Sequence, residues 1–201
     1  PPSPTLRDPN AADPLTLASC RHGQVLSPGD EPVDGDSSFY TEFPEAGWKA
    51  VKGEWGARAK TSPDWWHLSF AVVLDGEIVG QQNITADNFL KVRTVNSFSF
   101  LTRTARGHGV GKEMRSAVLH LAFAGLGARR AESDAFVDNP ASAGVSRALG
   151  YEPNGTMLAT RPSGTAVINR FLLTRDKWET ARREDISIGG LDACLPVLGL
   201  A

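Results

Sequence analysis

Apolar and polar residues change period several times along this chain, and each change marks an element. Trp66 to Leu74 and Glu77 to Thr85 are β-like runs that meet at Asp75-Gly76, a strong two-residue hairpin signal, so they are expected to pair antiparallel. Val95 to Leu101 alternates apolar with small polar residues as a half-buried strand does, and extends the pair into a meander. At Val110 the spacing switches: Val110, Met114, Val118, Leu121 and Ala122 recur at threes and fours, with Lys112, Glu113, Arg115 and His120 mostly on other faces. A helix to about Phe123 follows. A β-like run from Arg129 to Phe136 then completes a strand, loop, helix, strand crossover. Pro140 opens another helix, Ala166 to Leu173 reads as a strand and Thr174 to Arg183 as a short helix. The predicted class is mixed α+β.

Upstream the pattern is weaker. From Gly47 to Lys60, Trp48, Val51, Lys52, Trp55 and Ala59 follow helical spacing, which predicts tryptophans in core contacts. Pro1 to Pro14 is polar and proline-rich, with Leu6-Arg7 as a candidate edge strand. Breakers crowd residues 26–46 (Ser27-Pro28-Gly29-Asp30, Asp34-Gly35-Asp36, Phe43-Pro44), predicting long loops anchored by Phe39, Tyr40 and Phe43 that either bind a ligand or form an insertion without a role. The tail from Ile186 to Ala201 is apolar around Gly189-Gly190 and is expected to dock on its own domain or on a second subunit, which leaves a homodimer open. A single domain over 1–201 is expected, with a divergent region 1–65, a core 66–183 and the tail 184–201.

Composition narrows the function. A chain of 201 residues can bury roughly 70% of its unfolded surface in one core. Its 41% hydrophobic and 22% charged content is that of an ordinary globular protein. A net charge of −2 and a pI near 6.1 give no footprint for nucleic acid or an anionic membrane surface. Cys20 and Cys194, at opposite ends of the chain, suggest neither a disulfide framework nor a metal knuckle. Cys20-Arg21-His22 stands close together, but His67, His108 and His120 lack partners at metal-binding spacing, so no metal is expected. The Pro-Pro-Ser-Pro opening has no basic and apolar leader pattern, no apolar run reaches ~18 residues, and cytoplasm is the expected compartment.

The chemistry is concentrated in Arg106-Gly107-His108-Gly109-Val110-Gly111, between the 95–101 strand and the following helix. At a helix start several N–H groups lack intrahelical partners and the helix dipole is positive, so a glycine loop there can wrap a diphosphate, with Arg106 adding a charge. The plain alternative is a tight turn. A dinucleotide fingerprint would need glycine at Lys112 or Met114, and a nucleotide-hydrolase phosphate loop would need glycine at Arg106 and a hydroxyl at Glu113. Neither is present.

Arg106, Gly109 and Gly111 form Arg-x-x-Gly-x-Gly, which resembles the acyl-CoA loop of the GNAT superfamily of N-acyltransferases. The stretch Asp138-Asn139-Pro140-Ala141-Ser142 through Val145 to Gly150-Tyr151 is similar to a second segment of that superfamily, in particular of the branch containing ribosomal-protein N-terminal acetyltransferases. The resemblance covers about residues 67–180 well and the first 65 poorly. It implies a mostly antiparallel mixed sheet with a splayed parallel pair, acetyl-CoA or another acyl-CoA as co-substrate and an amine-bearing acceptor. On that reading Ser99, Phe100, Leu101 and Thr102 pair with the pantetheine arm, and the loop Arg106 to Gly111, with Lys112, holds the diphosphate. Asn139 either bonds the pantetheine or thioester or caps the helix at Pro140. Ser142 is the implied donor to the thiolate. Ser146 stands where many members have a tyrosine acid, and Tyr151 is read as packing. Asp134 and Glu113 are candidate bases, with a water relay as the alternative, and the plain alternative for Glu113 is to favour the helix dipole.

An esterase reading of Gly144-Val145-Ser146-Arg147-Ala148 fails because Ser146 lies inside a helix rather than on a strand-to-helix elbow. The expected activity is transfer of acetyl to a primary amine on a protein or small molecule. Transfer of a larger group such as succinyl, or a degenerate acyl-CoA sensor or scaffold, are the alternatives. Loops 26–46 and 83–94 are expected to select the acceptor.

Overall fold

Asp75 and Gly76 both take positive φ, 51° and 84°, turning β2 (Trp65–Leu74) back on β3 (Glu77–Asp87). These two residue types tolerate the left-handed region with little strain, which is why the turn forms here. In this computed structural model the described residues are 3–7, 45–161 and 164–200. The short strand β1 (Thr5–Arg7) pairs with β2 at the sheet edge, as Leu6-Arg7 suggested. Helix α1 spans Glu45–Lys60, α2 Phe89–Val92, α3 Val110–His120, α4 Pro140–Ala148 and α5 Arg175–Glu179. The remaining strands are β4 (Thr94–Leu101), β5 (Arg130–Phe136), β6 (Glu152–Arg161) and β7 (Gly164–Thr174).

Among the described residues they form one seven-stranded sheet in the order β1-β2-β3-β4-β5-β7-β6, in which only β4 and β5 run parallel. A parallel neighbour requires a crossover, and α3 supplies it. Its apolar stripe is buried through Val110, Met114 and Val118. The helix then widens at Leu121–Gly125, where Leu126 N–H donates to Leu121 O in an i to i+5 bond. Phe123, fully buried, stacks on Trp178 of α5 at 5.0 Å. Sealing one such ring contributes about 1.5–3 kcal/mol. Around it the core gathers Trp66, Ile84, Phe89, Val95, Phe171 and Leu173. The tail docks on this same core: Leu198 is buried, and Leu191, Leu195 and Leu200 pack beside it.

Three expectations need correction, and one strand was not foreseen. Trp55 is 54% exposed rather than in the core, because the face of α1 that packs inward carries Val51. The stretch 83–94 is not a loop: β3 continues to Asp87 and α2 follows between two left-handed residues, Asn88 and Arg93. The last helix is shorter than Thr174 to Arg183, with Thr174 as its cap. Strand β6 had no sequence prediction; it is an edge strand with most residues exposed and a register shift between Pro153 and Thr156, so it carries no two-residue hydrophobic alternation. Residues 26–44, Cys20-Arg21-His22 and the side chain of Trp48 lie outside the described residues.

Candidate active site

The parallel pair is incomplete. Its register runs from Thr94 against Arg130 to Ser97 against Ser133 and stops there. Beyond that point Phe98 to Leu101 stay paired with β3, while Asp134 to Phe136 stay paired with β7. Two strand edges therefore diverge into a notch, and an unpaired strand edge is a template for an extended ligand. Gly80 lies opposite: a Cβ there would come within 2.3 Å of Phe100 O and 2.8 Å of the Leu101 side chain, so only glycine lets β3 follow β4 this closely.

Both connections leaving the notch end in helix N-termini. After β4, Thr102 N–H donates to Val79 O, a 3-10 turn covers Arg103–Ala105, and Gly107 and Gly109 turn the chain at φ 79° and 85°. Gly109 is the N-cap of α3 and carries no side chain to occupy the helix-start N–H groups. Arg106, Gly107, His108, Gly109 and Lys112 are exposed, whereas Phe100, Leu101 and Val110 have buried side chains and can offer a ligand only their backbone, and Thr102, also buried, has its N–H bonded to Val79 O and its carbonyl to Ala105 N–H. The Arg106 guanidinium folds back to donate to Leu101 O at 3.0 and 2.9 Å, bracing the loop against the strand it leaves. A Cβ on Gly111 would stand 3.5 Å from Val145 of α4, which places the first turn of α3 beside that helix.

After β5, Asn139 caps α4 by accepting from Ser142 N–H at 3.0 Å. The capping role is thus realised on the oxygen, and the Asn139 amide nitrogen remains the donor side of that group. Ser142 sits half-buried in the first turn. Asp138 is gripped by Arg161 of β6 through two contacts of 2.6 Å, and Arg161 lies 3.8 Å from the centre of the Phe136 ring. Hydrogen bonding from Arg161 holds the Asp138 carboxyl below its ordinary value, against the opposing effect of burial.

Beneath the notch, on the α3 side of the sheet, lies a sealed polar cluster. Arg115 of α3 is 3% exposed and donates to Ser133 Oγ at 2.8 Å, Ser99 Oγ at 3.1 Å and Gln82 Oε1 at 3.4 Å. Ser146, fully buried, bonds Ser133 Oγ at 3.3 Å. Tyr151 is buried as expected. Burial pushes its phenol above the ordinary value, while Arg115 and Ser97 pull the other way.

The opposite face, toward α1, is acidic. Gln81 donates to Glu54 Oε1 and to Ser69 Oγ, both at 2.6 Å, and Ser69 donates to Asn83 at 2.8 Å. Glu54 Oε2 is buried with no hydrogen-bond partner among the described residues. Strand alternation sets Glu132 and Asp134 on this face too, where Arg170 pairs with Glu132 at 3.0 Å and Asp134 at 3.6 Å. Glu113, the other candidate base, is tied to Arg183 at 2.5 Å on the α3 side.

An Arg-x-x-Gly-x-Gly turn at a helix start, beside a parallel pair that parts, is matched by a family model described as an acetyltransferase (GNAT) domain over residues 5–152. The chain belongs to the GNAT acetyltransferase family. As such it is an N-acetyltransferase, and GNAT acetyltransferases use acetyl-CoA as co-substrate. Its fold is similar to that of ribosomal-protein-S5-alanine acetyltransferase from Vibrio fischeri, at 17% identity and TM-score 0.66, covering 86% of this chain and 93% of that one. A spermidine N-acetyltransferase mutant from Vibrio cholerae is also similar, at 13% identity and TM-score 0.68, covering 89% and 99%.

Two groups were missed by sequence reasoning. Arg115 was read as outward-facing, although it stands three and four residues before Val118 and Leu119 and so flanks the buried stripe. That spacing was the available signal. Glu54 had none, since its partner Gln81 comes from β3, far along the chain.

Proposed function

We propose that this GNAT domain transfers acetyl from acetyl-CoA to a primary amine that approaches from the α1 face of the sheet. The observation that carries it is the parting of β4 from β5 after Ser97 and Ser133, with a glycine-capped helix start at its open end. The bound co-substrate supplies the activated acyl thioester. The backbone edge from Ser99 to Leu101 pairs with its extended arm, and the N–H groups from Gly107 to Gly111 hold its diphosphate, where the helix dipole adds to them. Asn139 orients the arm through its amide nitrogen, and Ser142 donates to the departing sulfur. Ser146 is too deeply buried against Ser133 to serve as that donor.

An amine reaching the α1 face meets carboxylates. Asp134 Oδ1 and Glu54 Oε2 are both buried with no hydrogen-bond partner among the described residues, but Asp134 is ion-paired with Arg170, and Glu54, with no ion pair among the described residues, is the carboxylate suited to attract an ammonium and take its proton. An acidic acceptor face favours cationic amines, either a protein N-terminus or a polyamine, over neutral alcohols.

The test is thiol release with acetyl-CoA and succinyl-CoA across peptide amines and small polyamines. Turnover with acetyl-CoA and at least one amine is expected, falling steeply in Glu54→Gln. Tight CoA binding without acceptor-dependent release in the whole panel would overturn the transferase reading in favour of a sensor.

A further inference from the structure

Arg115 is an unusual residue to find in a sealed interior. Its charge is 3% exposed, yet the groups that meet it are an amide and hydroxyls: Gln82 from β3, Ser99 from β4 and Ser133 from β5. Its further polar neighbours, Ser146 of α4 through Ser133 and the Tyr151 phenol, are neutral as well. Among the described residues no carboxylate pairs with it. An unpaired buried cation is costly, and an apolar side chain of similar volume would fill the same space more cheaply.

Its position supplies a reason. Ser99 and Ser133 belong to the two strands that separate, Ser133 at the last paired register and Ser99 two residues past it. The planar guanidinium reaches both at once, 2.8 and 3.1 Å away, so one rigid fork ties the diverging strands at a fixed opening. We propose that Arg115 is the positioning residue of the notch: it wedges β4 from β5 and leaves an uncompensated positive charge in the floor of the gap. Negative charge developing above that floor is stabilised without reorganisation, because the donor is already locked in place. This rests on the reading that the gap receives the thioester arm of the co-substrate.

Two variants separate the wedge from the charge. Calorimetry compares CoA with adenosine 3′-phosphate 5′-diphosphate, which keeps the diphosphate that engages the glycine loop but has no arm to enter the gap. Wild-type protein should prefer CoA, and Arg115→Met should keep its affinity for this arm-less nucleotide while its preference for CoA falls about tenfold or more. Arg115→Gln retains hydrogen bonding but not charge, so kcat should fall about tenfold or more with KM for acetyl-CoA within about threefold. A folded Arg115→Met protein with undiminished CoA preference overturns the wedge, and an Arg115→Gln enzyme with wild-type kcat overturns the charge. Should Arg115→Met fail to fold, the kcat and KM of Arg115→Gln decide. A wild-type protein that does not prefer CoA over the arm-less nucleotide overturns the reading of the gap itself, a result distinct from either.

Discussion

Helices α3 and α4 start at the same end of the parallel pair and differ in how their first turns are satisfied. Gly109 begins α3 in the left-handed region with no side chain to cap it, while Asn139 begins α4 and accepts from Ser142 N–H, with Pro140 removing a further donor. One helix start is left open to an external acceptor; the other is closed by its own chain. Each is flanked by an arginine from a later segment, Arg183 to Glu113 at α3 and Arg161 to Asp138 at α4. The difference therefore lies in the cap. The anion site belongs at α3, and the side chains of α4 are free to serve the thioester end.

The most severe way to break the contrast is to fill the open cap. Gly109 has φ 85°, so any other residue is strained there, and a large side chain would also project into the exposed loop. Gly109→Trp should reduce CoA affinity by about a hundredfold or more, on the order of 3 kcal/mol, while thermal stability falls far less. Calorimetry with CoA alone measures this, and unaltered affinity would place the diphosphate elsewhere.

The closed cap gives a smaller effect of a different kind. Asn139→Ala removes the acceptor for Ser142 N–H and should cost about 1 kcal/mol of stability. If the amide nitrogen also orients the arm, kcat falls by more than CoA affinity does. Equal losses in stability and binding, with unchanged kcat, would reduce Asn139 to a cap. Ser142→Ala tests the next residue: it leaves the backbone N–H bond intact, so turnover should drop about tenfold with little change in melting temperature. Wild-type turnover would remove Ser142 from the chemistry.

Much of this contrast was legible because it is local. The period switch at Val110, the glycines before it and Asn-Pro before α4 are contiguous signals, and so is the Asp75-Gly76 turn. The notch was legible only through the family resemblance, since strand parting depends on which neighbour each strand keeps, β3 for Phe98 to Leu101 and β7 for Asp134 to Phe136. Arg115 was misplaced for a related reason. A cation beside an apolar stripe normally snorkels to solvent, and its three acceptors come from β3, β4 and β5, which no helical spacing reveals. Strand β6 had no apolar alternation to read because its faces are largely exposed.

The flanking pairs give the smallest and most specific effect, through pH. Arg161 lowers the Asp138 carboxyl below its ordinary value of 3.8 in the folded chain, mainly by hydrogen bonding. A depressed folded value means the pair stabilises the fold above the unfolded carboxyl's range and loses that contribution as pH falls through the folded value. Because the Asp138 side chain is 59% exposed, solvent screening limits the contribution to about 0.5 kcal/mol. Denaturant melts of wild type and Asp138→Asn should therefore differ by about that amount at pH 7 and keep the difference down to about pH 4. The two should converge below that, as the wild-type carboxyl takes up its proton. A gap that closes already near pH 6, or persists fully at pH 2, would mean the Arg161 pair is not what separates the two proteins, and that the closed start of α4 depends on Asn139 alone.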